Sequence, residues 1–281
     1  MSPIIAPSEL ASLLADNPPR LLDVRWDLAR ADGREAYAEG HLPGAVFVDM
    51  DTELSTHGRP EEGRHPLPSL ATLQDAARRW GVSAGDAVVV YDDYNSVAAA
   101  RAWWLLTRAG VADVRVLDGG LRGWIASGFG LEVGDVVAAP GDVVLRDFAD
   151  GTLTLTDAAQ WPASGVLIDA RAAERYRGET EPMDPIAGHI PGSVNVPATS
   201  LLEDGRFRSA PELRDVFAAV GVAGDTPAAA YCGSGVTAAH TALAGAVAGI
   251  EVAVYPGSWS AWSNTPGMPV ATGAEPGGAV S

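Results

Sequence analysis

The chain has 281 residues, of which 47% are hydrophobic and 20% charged, and its formal net charge is −17. This length predicts one large or two ordinary globular domains. No apolar run approaches the roughly 18 residues of a membrane-spanning helix, and the negative charge argues against nucleic acid or an anionic membrane surface as a partner. All 19 basic residues are Arg, and the single cysteine, Cys232, excludes an intramolecular disulfide and a cysteine zinc cluster.

The predicted elements alternate along the chain between helices and short apolar strands. A capped helix begins near Ser8, helices follow over residues 70–80 and 98–109, and a second capped helix begins near Thr156. Strands that are apolar throughout, between helices, are typical of a parallel sheet covered on both faces. In such sheets, ligands bind beyond the carboxyl ends of the strands. The sequence therefore predicts an α/β protein with its site at that edge.

Four segments recur in the same order in the two halves of the chain. The pairs are Leu21–Arg25 with Leu167–Arg171, Gly40–Val48 with Gly188–Val196, Gly81–Asp92 with Gly221–Cys232, and Asp118–Trp124 with Tyr255–Trp262. Because solenoid repeats are only about 20–50 residues long, this much longer period indicates a duplicated globular domain. We predict a first domain over 1–135, a linker over 136–150 and a second domain over 151–281.

The loop that starts at Cys232 is the strongest candidate for a reactive site. A buried strand ends on this cysteine, a Gly-Ser-Gly segment follows, and an Ala-rich helix then begins. Unpaired N–H groups at a helix N-terminus stabilise negative charge, which favours the thiolate. A lone buried cysteine is more often an inert, small hydrophobic side chain. The two glycines argue for close approach of the backbone to a bound group, and we interpret Cys232 as a nucleophile.

Together, the repeat and this loop make the chain resemble the tandem-domain rhodanese sulfurtransferases over roughly residues 8–266. The shared motifs are Gly-His-x-Pro-Gly and Asp-x-Arg in both halves, the loop Cys232–Thr237 and a late Gly/Trp motif. The resemblance implies two rhodanese-like domains, each a parallel-sheet, three-layer α/β/α unit. It implies that only the second is catalytic: its cysteine takes sulfane sulfur from a small anionic donor and passes it to an acceptor. Where that domain has Cys232, the first has Asp92, which cannot act as a sulfur nucleophile.

The chemistry of the loop favours 3-mercaptopyruvate as the donor. In the members of the family that are specialised for thiosulfate, the loop has Arg-Lys after the cysteine. Here the loop is uncharged and looks like that of the 3-mercaptopyruvate sulfurtransferases, so we expect donor contacts from Gly233, Ser234, Gly235, Val236 and Thr237. The resemblance further implies that Arg175 holds the donor carboxylate and that Asp51 and His65 lie near the site. A second arginine common in that subfamily corresponds to Asp184 here, so thiosulfate stays open as the main donor.

The same resemblance implies that cyanide, thioredoxin or a low-molecular-weight thiol accepts the sulfur. We expect no cofactor, no metal and no membrane or nucleic-acid partner, and we expect a monomer. The first ten residues lack a basic region followed by an apolar segment, so no signal peptide and a cytoplasmic location are expected.

Two other functions fit parts of the pattern. A cysteine-based phosphatase of this fold needs an arginine where the chain has Ala238, and a non-catalytic rhodanese-like module lacks the cysteine. His240, two helical turns beyond Cys232, is expected to point away from it, which disfavours a Cys–His hydrolase. His41 and His189 recur in both halves, as do the Asp-x-Arg motifs, and we therefore interpret them as structural.

Overall fold

The structure, a computed structural model, describes residues 2–26, 32–148, 151–277 and 279–280. The chain divides into two compact units. The first comprises residues 1–56 and 67–150, and the second comprises residues 57–66 and 151–281. Residues 57–66, which the sequence analysis included in the first domain, thus pack with the second unit.

The first unit contains a parallel five-stranded sheet in the order β1-β5-β4-β2-β3. Its strands are β1 (Ile4–Ile5), β2 (Arg20–Asp23), β3 (Val46–Phe47), β4 (Ala87–Tyr91) and β5 (Asp113–Leu117). Its helices are α1 (Pro7–Asp16), α2 (Arg34–Glu39), α3 (Met50–Glu53), α4 (Leu70–Arg79), α5 (Val97–Arg108) and α6 (Gly120–Ala126).

The second unit contains a parallel four-stranded sheet in the order β11-β10-β6-β7. Its helices are α7 (Leu155–Gln160), α8 (Ala173–Tyr176), α9 (Ala210–Ala219), α10 (Val236–Ala248) and α11 (Ser258–Asn264). Its sheet strands are β6 (Val166–Asp169), β7 (Val194–Asn195), β10 (Ala228–Tyr231) and β11 (Val252–Val254). Two small antiparallel pairs join β8 (Leu202–Glu203) to β9 (Arg206–Phe207) and β12 (Ala271–Thr272) to β13 (Ala279–Val280).

Short 3₁₀ helices cover Pro60–Glu62, Trp161–Ala163 and Ala198–Leu201. The two units, each a parallel sheet flanked by helices, confirm the predicted α/β fold. The central strands β4 and β10 are buried because helices cover each sheet, which explains why their sequences, Ala-Val-Val-Val-Tyr and Ala-Ala-Ala-Tyr, contain no charged residue. Among the described residues, no helix is both long and apolar enough to cross a bilayer.

Both helices begin one residue before the predicted position. The first helix begins at Pro7, and its N-cap is Ala6, which has no capping side chain. Proline suits the first helical position because its missing N–H would be unpaired there anyway. The helix expected near Thr156 begins at Leu155, and Thr154 and Asp157 exchange the hydrogen bonds of a capping box.

The two Gly-His-x-Pro-Gly motifs form equivalent networks inside the two units. His41 stacks on Tyr37 and bonds through Nδ1 to its carbonyl oxygen at 2.9 Å. His189 makes the same stack on Tyr176, with a bond of 2.8 Å. Tyrosine hydroxyls at the ends of β4 and β10 accept the N–H of the residue after each histidine. These contacts tie backbone segments together, which supports the structural interpretation of both histidines.

The repeated Asp-x-Arg motifs also make matching contacts. In the first unit, Arg25 Nη2 donates to Asp23 Oδ2 at 2.7 Å and to the carbonyl of Gly40 at 3.0 Å. In the second, Arg171 Nη2 donates to Asp169 Oδ2 and to a glycine carbonyl, both at 2.6 Å. These buried pairs fix the strand ends to the loop that carries the histidine.

Candidate active site

The candidate nucleophile follows the strand that lies between β11 and β6. Cys232 comes directly after β10, at the carboxyl edge of the sheet. Gly235 is the N-cap of α10 and has a φ of 85°, in the left-handed region. A Cβ atom on this residue would lie 2.3 Å from the carbonyl oxygen of Pro256. Only glycine satisfies both conditions, so the loop depends on it.

The sulfur of Cys232 lies inside this loop, and the residue is 2% exposed. The N–H of Gly235 donates to Sγ at 3.1 Å. This donor is at the N-terminus of α10, where the helix dipole also favours an anion. Because Cys232 is buried, a donor molecule must enter the loop to reach its sulfur.

Ser258 supports the loop from the start of α11. Its Oγ accepts the N–H of Cys232 at 3.0 Å, donates to the carbonyl of Tyr255 at 2.9 Å, and lies 4.0 Å from Sγ. The residue is buried and has a φ of 53°, which is uncommon for a residue with a side chain. Such strain is concentrated at functional sites. The sequence analysis missed this serine.

The segment of residues 57–66 brings a histidine to the loop. Its 3₁₀ helix packs on α11, and the N–H of Arg64 donates to Ser260 Oγ at 3.1 Å. The next residue, His65, places Nδ1 2.7 Å from Ser234 Oγ. The structure therefore brings together two of the predicted site residues, whose roles in the reaction remain proposals.

Arg175 on α8 faces the same loop. Its Nη2 donates to Glu181 Oε1 at 2.6 Å and lies 3.5 Å from Asp184 Oδ2. A Cβ atom on Gly233 would lie 3.5 Å from Arg175 Nη1, so the guanidinium borders the residue after the cysteine. A cation in this position is suited to an anionic donor.

A second guanidinium approaches Gly233 from the segment 57–66. Arg64 Nη1 forms an ion pair with Asp184 Oδ1, and Arg64 Nη2 lies 3.0 Å from the position of a Gly233 Cβ atom. Burial raises the pKa of Asp184, against the opposing effect of Arg64. The sequence analysis missed Arg64, and its one signal was adjacency to His65.

The remaining predicted site residues have different surroundings. Val236 and Thr237 form the first turn of α10 and are buried and half-buried, respectively. Asp51 belongs to the first unit, on α3, where its N–H donates to Asp49 Oδ1 at 3.0 Å. Its predicted place near the site stays a prediction. Within the described ranges, no group of three or more His, Cys, Asp or Glu side chains could hold a metal ion.

His240 is buried in α10 and stacks on Phe207, with 4.7 Å between the ring centroids. This contact places its ring against Phe207 of β9. It agrees with the expectation that His240 is not paired with the cysteine.

Comparison with known proteins identifies the family. The profile of the rhodanese-like domain matches residues 6–127 and 154–265. SseB of Mycobacterium tuberculosis, whose name is that of a thiosulfate sulfurtransferase, is 49% identical over 276 residues, covering 96% of this chain and 97% of the relative. The 3-mercaptopyruvate sulfurtransferase of Escherichia coli is 37% identical over 269 residues, covering 93% and 95%.

The fold agrees with a solved structure of the same type. The crystal structure of SseA from Escherichia coli, a 3-mercaptopyruvate sulfurtransferase, superimposes with a TM-score of 0.81 at 34% identity. The match covers 92% of this chain and 99% of that one. The chain therefore belongs to the rhodanese family and is a tandem-domain sulfurtransferase of the 3-mercaptopyruvate or thiosulfate type.

Proposed function

We propose that Cys232 carries sulfane sulfur as a persulfide, taken from a small anionic donor and delivered to cyanide or a thiol. The observation that supports this most directly is the Gly235 N–H, 3.1 Å from Sγ in an uncharged loop. Gly233, Ser234, Gly235, Val236 and Thr237 form the cradle around the sulfur. The first domain, over 1–135, acts without a nucleophile of its own, and the second, over 151–281, is catalytic.

The reaction begins with attack of the Cys232 thiolate on the sulfur of the donor. With 3-mercaptopyruvate, the new S–S bond forms as the C–S bond breaks, and the electron pair leaves on carbon as the enolate of pyruvate. With thiosulfate, the S–S bond of the donor breaks and sulfite leaves with the pair. In the second half-reaction, a thiolate or cyanide attacks the outer sulfur, and the Cys232 thiolate is the leaving group.

The hydrogen bond between His65 and Ser234 suits this chemistry. The enolate of pyruvate needs a proton, and Ser234 Oγ lies in the loop, 2.7 Å from His65 Nδ1. We assign the pair to proton transfer between the donor thiol and the departing carbon. Asp51 stays a predicted site residue on the family resemblance alone.

We propose 3-mercaptopyruvate as the preferred donor. The uncharged loop and the position of Arg175 support a donor with a single carboxylate, as does the likeness to the Escherichia coli enzyme. Thiosulfate is the second candidate. Two guanidiniums border Gly233, which suits a dianion, and the Mycobacterium tuberculosis relative is named as a thiosulfate sulfurtransferase. Values of kcat/KM measured side by side for the two donors decide between them.

The test of the proposed function is mass spectrometry after donor treatment. We expect the peptide containing Cys232 to gain about 32 Da, the mass of one sulfur atom, and to lose it on addition of cyanide or a thiol. The Cys232→Ser variant should stay folded and gain nothing. If the wild-type peptide stays unmodified with both donors, the assignment of the nucleophile is wrong.

A further inference from the structure

We propose that Arg64 binds the anionic group of the sulfur donor jointly with Arg175, so that the donor site has two guanidiniums from separate segments. The inference rests on the proposed function, because it names a donor-binding residue for the same site. It also accounts for Asp184, which stands where the family resemblance implies an arginine.

The two guanidiniums converge on one point beside the nucleophile. A Cβ atom on Gly233 would lie 3.0 Å from Arg64 Nη2, 3.5 Å from Arg175 Nη1 and 3.7 Å from Arg175 Nη2. The glycine leaves this point open, so that a small anion can reach both cations. Because Gly233 directly follows Cys232, an anionic group there brings the rest of a small donor close to the sulfur.

Arg64 is held in place by one main-chain contact and one side-chain contact. Its N–H bonds to Ser260 Oγ, and its Nη1 pairs with the Asp184 carboxylate, so that Nη2 points towards the loop. The side chain of Arg64 is 26% exposed, while that of Asp184 is 2% exposed. The cation is therefore accessible from solvent, and the carboxylate that positions it is not.

The charges around this point are balanced. Three arginines alternate with three carboxylates in a chain of ion pairs: Asp169, Arg171, Glu181, Arg175, Asp184 and Arg64. The six groups sum to zero, so donor binding depends on directed N–H groups rather than on excess positive charge. Loss of Arg64 would leave Asp184 in excess next to the donor. That change should weaken binding of the dianion thiosulfate more than binding of 3-mercaptopyruvate.

The first experiment compares donor kinetics of Arg64→Ala with those of Arg59→Ala. The control removes an arginine from the same segment, where its side chain is 78% exposed and pairs only with Glu62 among the ion pairs described. We expect Arg64→Ala to raise KM about tenfold for 3-mercaptopyruvate and more for thiosulfate, consistent with loss of a charge-assisted hydrogen bond. At saturating donor, its Cys232 peptide should still gain about 32 Da. The control should match the wild type.

The double variant Arg64→Ala/Asp184→Asn distinguishes a direct contact between Arg64 and the donor from simple neutralisation of Asp184 by Arg64. It removes both members of the pair and leaves no unpaired carboxylate. If Arg64 contacts the donor, KM stays raised in the double variant. If KM returns to the wild-type value, Arg64 only neutralises Asp184, and the inference is overturned.

Two further outcomes are distinguishable. An unchanged KM in Arg64→Ala, with sulfur loading of the wild type intact, overturns the inference and leaves the proposed function standing. Failure of the wild type to load sulfur overturns the proposed function instead. Should Arg64→Ala fold poorly by circular dichroism, Arg64→Gln, which keeps the length of the side chain, replaces it in the same comparison.

Discussion

The loops that follow β4 and β10 have the same hydrogen-bonding pattern but different side chains at its centre. In the first unit, the Asp92 carboxylate accepts the N–H groups of Tyr94, Ser96 and Ala99 at 2.9, 2.9 and 3.0 Å. In the second, the Cys232 sulfur accepts the N–H of Gly235 at 3.1 Å. Each loop thus directs main-chain N–H groups at the side chain that follows its strand. In the first loop that side chain is a carboxylate, and in the second it is a thiol.

The supports of the two loops match as well. The N–H of Leu121 donates to the Asp92 carbonyl, and the N–H of Trp259 donates to the Cys232 carbonyl, both at 2.9 Å. The residue before each of these N–H groups, Gly120 or Ser258, has a φ in the left-handed region. The two loops therefore share their backbone supports and differ in the side chain at this position, which is a carboxylate in one and a thiol in the other.

The largest expected effect comes from making the second loop resemble the first. In Cys232→Asp, a carboxylate replaces the sulfur, and sulfur transfer should fall by at least about a thousandfold because no nucleophilic sulfur is left. Activity is measured with both donors and with cyanide as acceptor. Asp92→Asn, the matched change in the first unit, should keep wild-type kcat/KM. Turnover by Cys232→Asp would refute the persulfide mechanism.

The next largest effect is expected on the stability of the first unit as Asp92 titrates. Burial outweighs the three N–H bonds and raises the pKa of Asp92 from 3.8 to about 6, and burial raises that of Asp23 to about 6 as well. Since the folded state binds these protons more tightly than the unfolded chain, the stabilisation is full below about pH 4 and is lost as pH rises through about 6. For Asp92 alone, the shift corresponds to about 3 kcal/mol.

The pH effect is measured by hydrogen exchange of β4 in the wild type and in Asp92→Asn between about pH 4 and pH 7. After correction for the intrinsic exchange rate, the wild type should lose more protection than the variant as pH rises. The peptide of β10 serves as the internal control, since it lies in the other unit. Equal slopes in the two proteins would show that Asp92 does not titrate in this range.

A smaller effect is expected from the N-cap residues of the helices that follow. Gly235→Ala places a side chain at a φ of 85° and against the Pro256 carbonyl, and should lower the free energy of unfolding by more than the 1–2 kcal/mol of the backbone strain alone. At the matching position, Ser96 already has a side chain at a φ of 61°. Ser96→Ala should therefore change stability by less than about 1 kcal/mol. Urea unfolding of both variants tests the contrast, and equal losses would contradict it.

Much of the fold was predictable because the relevant signals are local. Each of these signals lies within a short stretch of sequence: the apolar strands, the Gly-His-x-Pro-Gly motifs and the strand–loop–helix around Cys232. Because the two halves of the chain share these features, each half supports the prediction made from the other. The structure then brought His65 to Ser234, a contact that the sequence suggested only through the family resemblance.

The rest of the site depends on contacts between distant parts of the chain. The N–H of Arg64 bonds to a side chain 196 residues away, and no periodicity or spacing encodes such a contact. The packing of residues 57–66 with the second unit was foreseen only through the family resemblance, which implied that His65 lies near the site. The left-handed Ser258 was also missed, because a strained residue other than glycine has no compositional signal.

Ser258 gives the finest test of the comparison, since the first unit has glycine at that place. Ser258→Gly relieves the backbone strain but removes the hydroxyl that accepts the Cys232 N–H and lies 4.0 Å from Sγ. We expect kcat to fall about tenfold with little change in KM, as the loss of one hydrogen bond near the reacting sulfur implies. Stability should change little, because strain relief offsets both the lost bond and the added chain entropy.

The matched control is Ser263→Ala on the same helix, which removes a buried hydroxyl away from the cysteine and should leave kcat unchanged. Ser258→Ala should lower kcat as much as Ser258→Gly does, while also losing stability, because it keeps the left-handed backbone without the hydroxyl. If Ser258→Gly keeps full kcat, the hydroxyl is only a support for the turn. The two loops would then differ in function by the cysteine and its arginines alone.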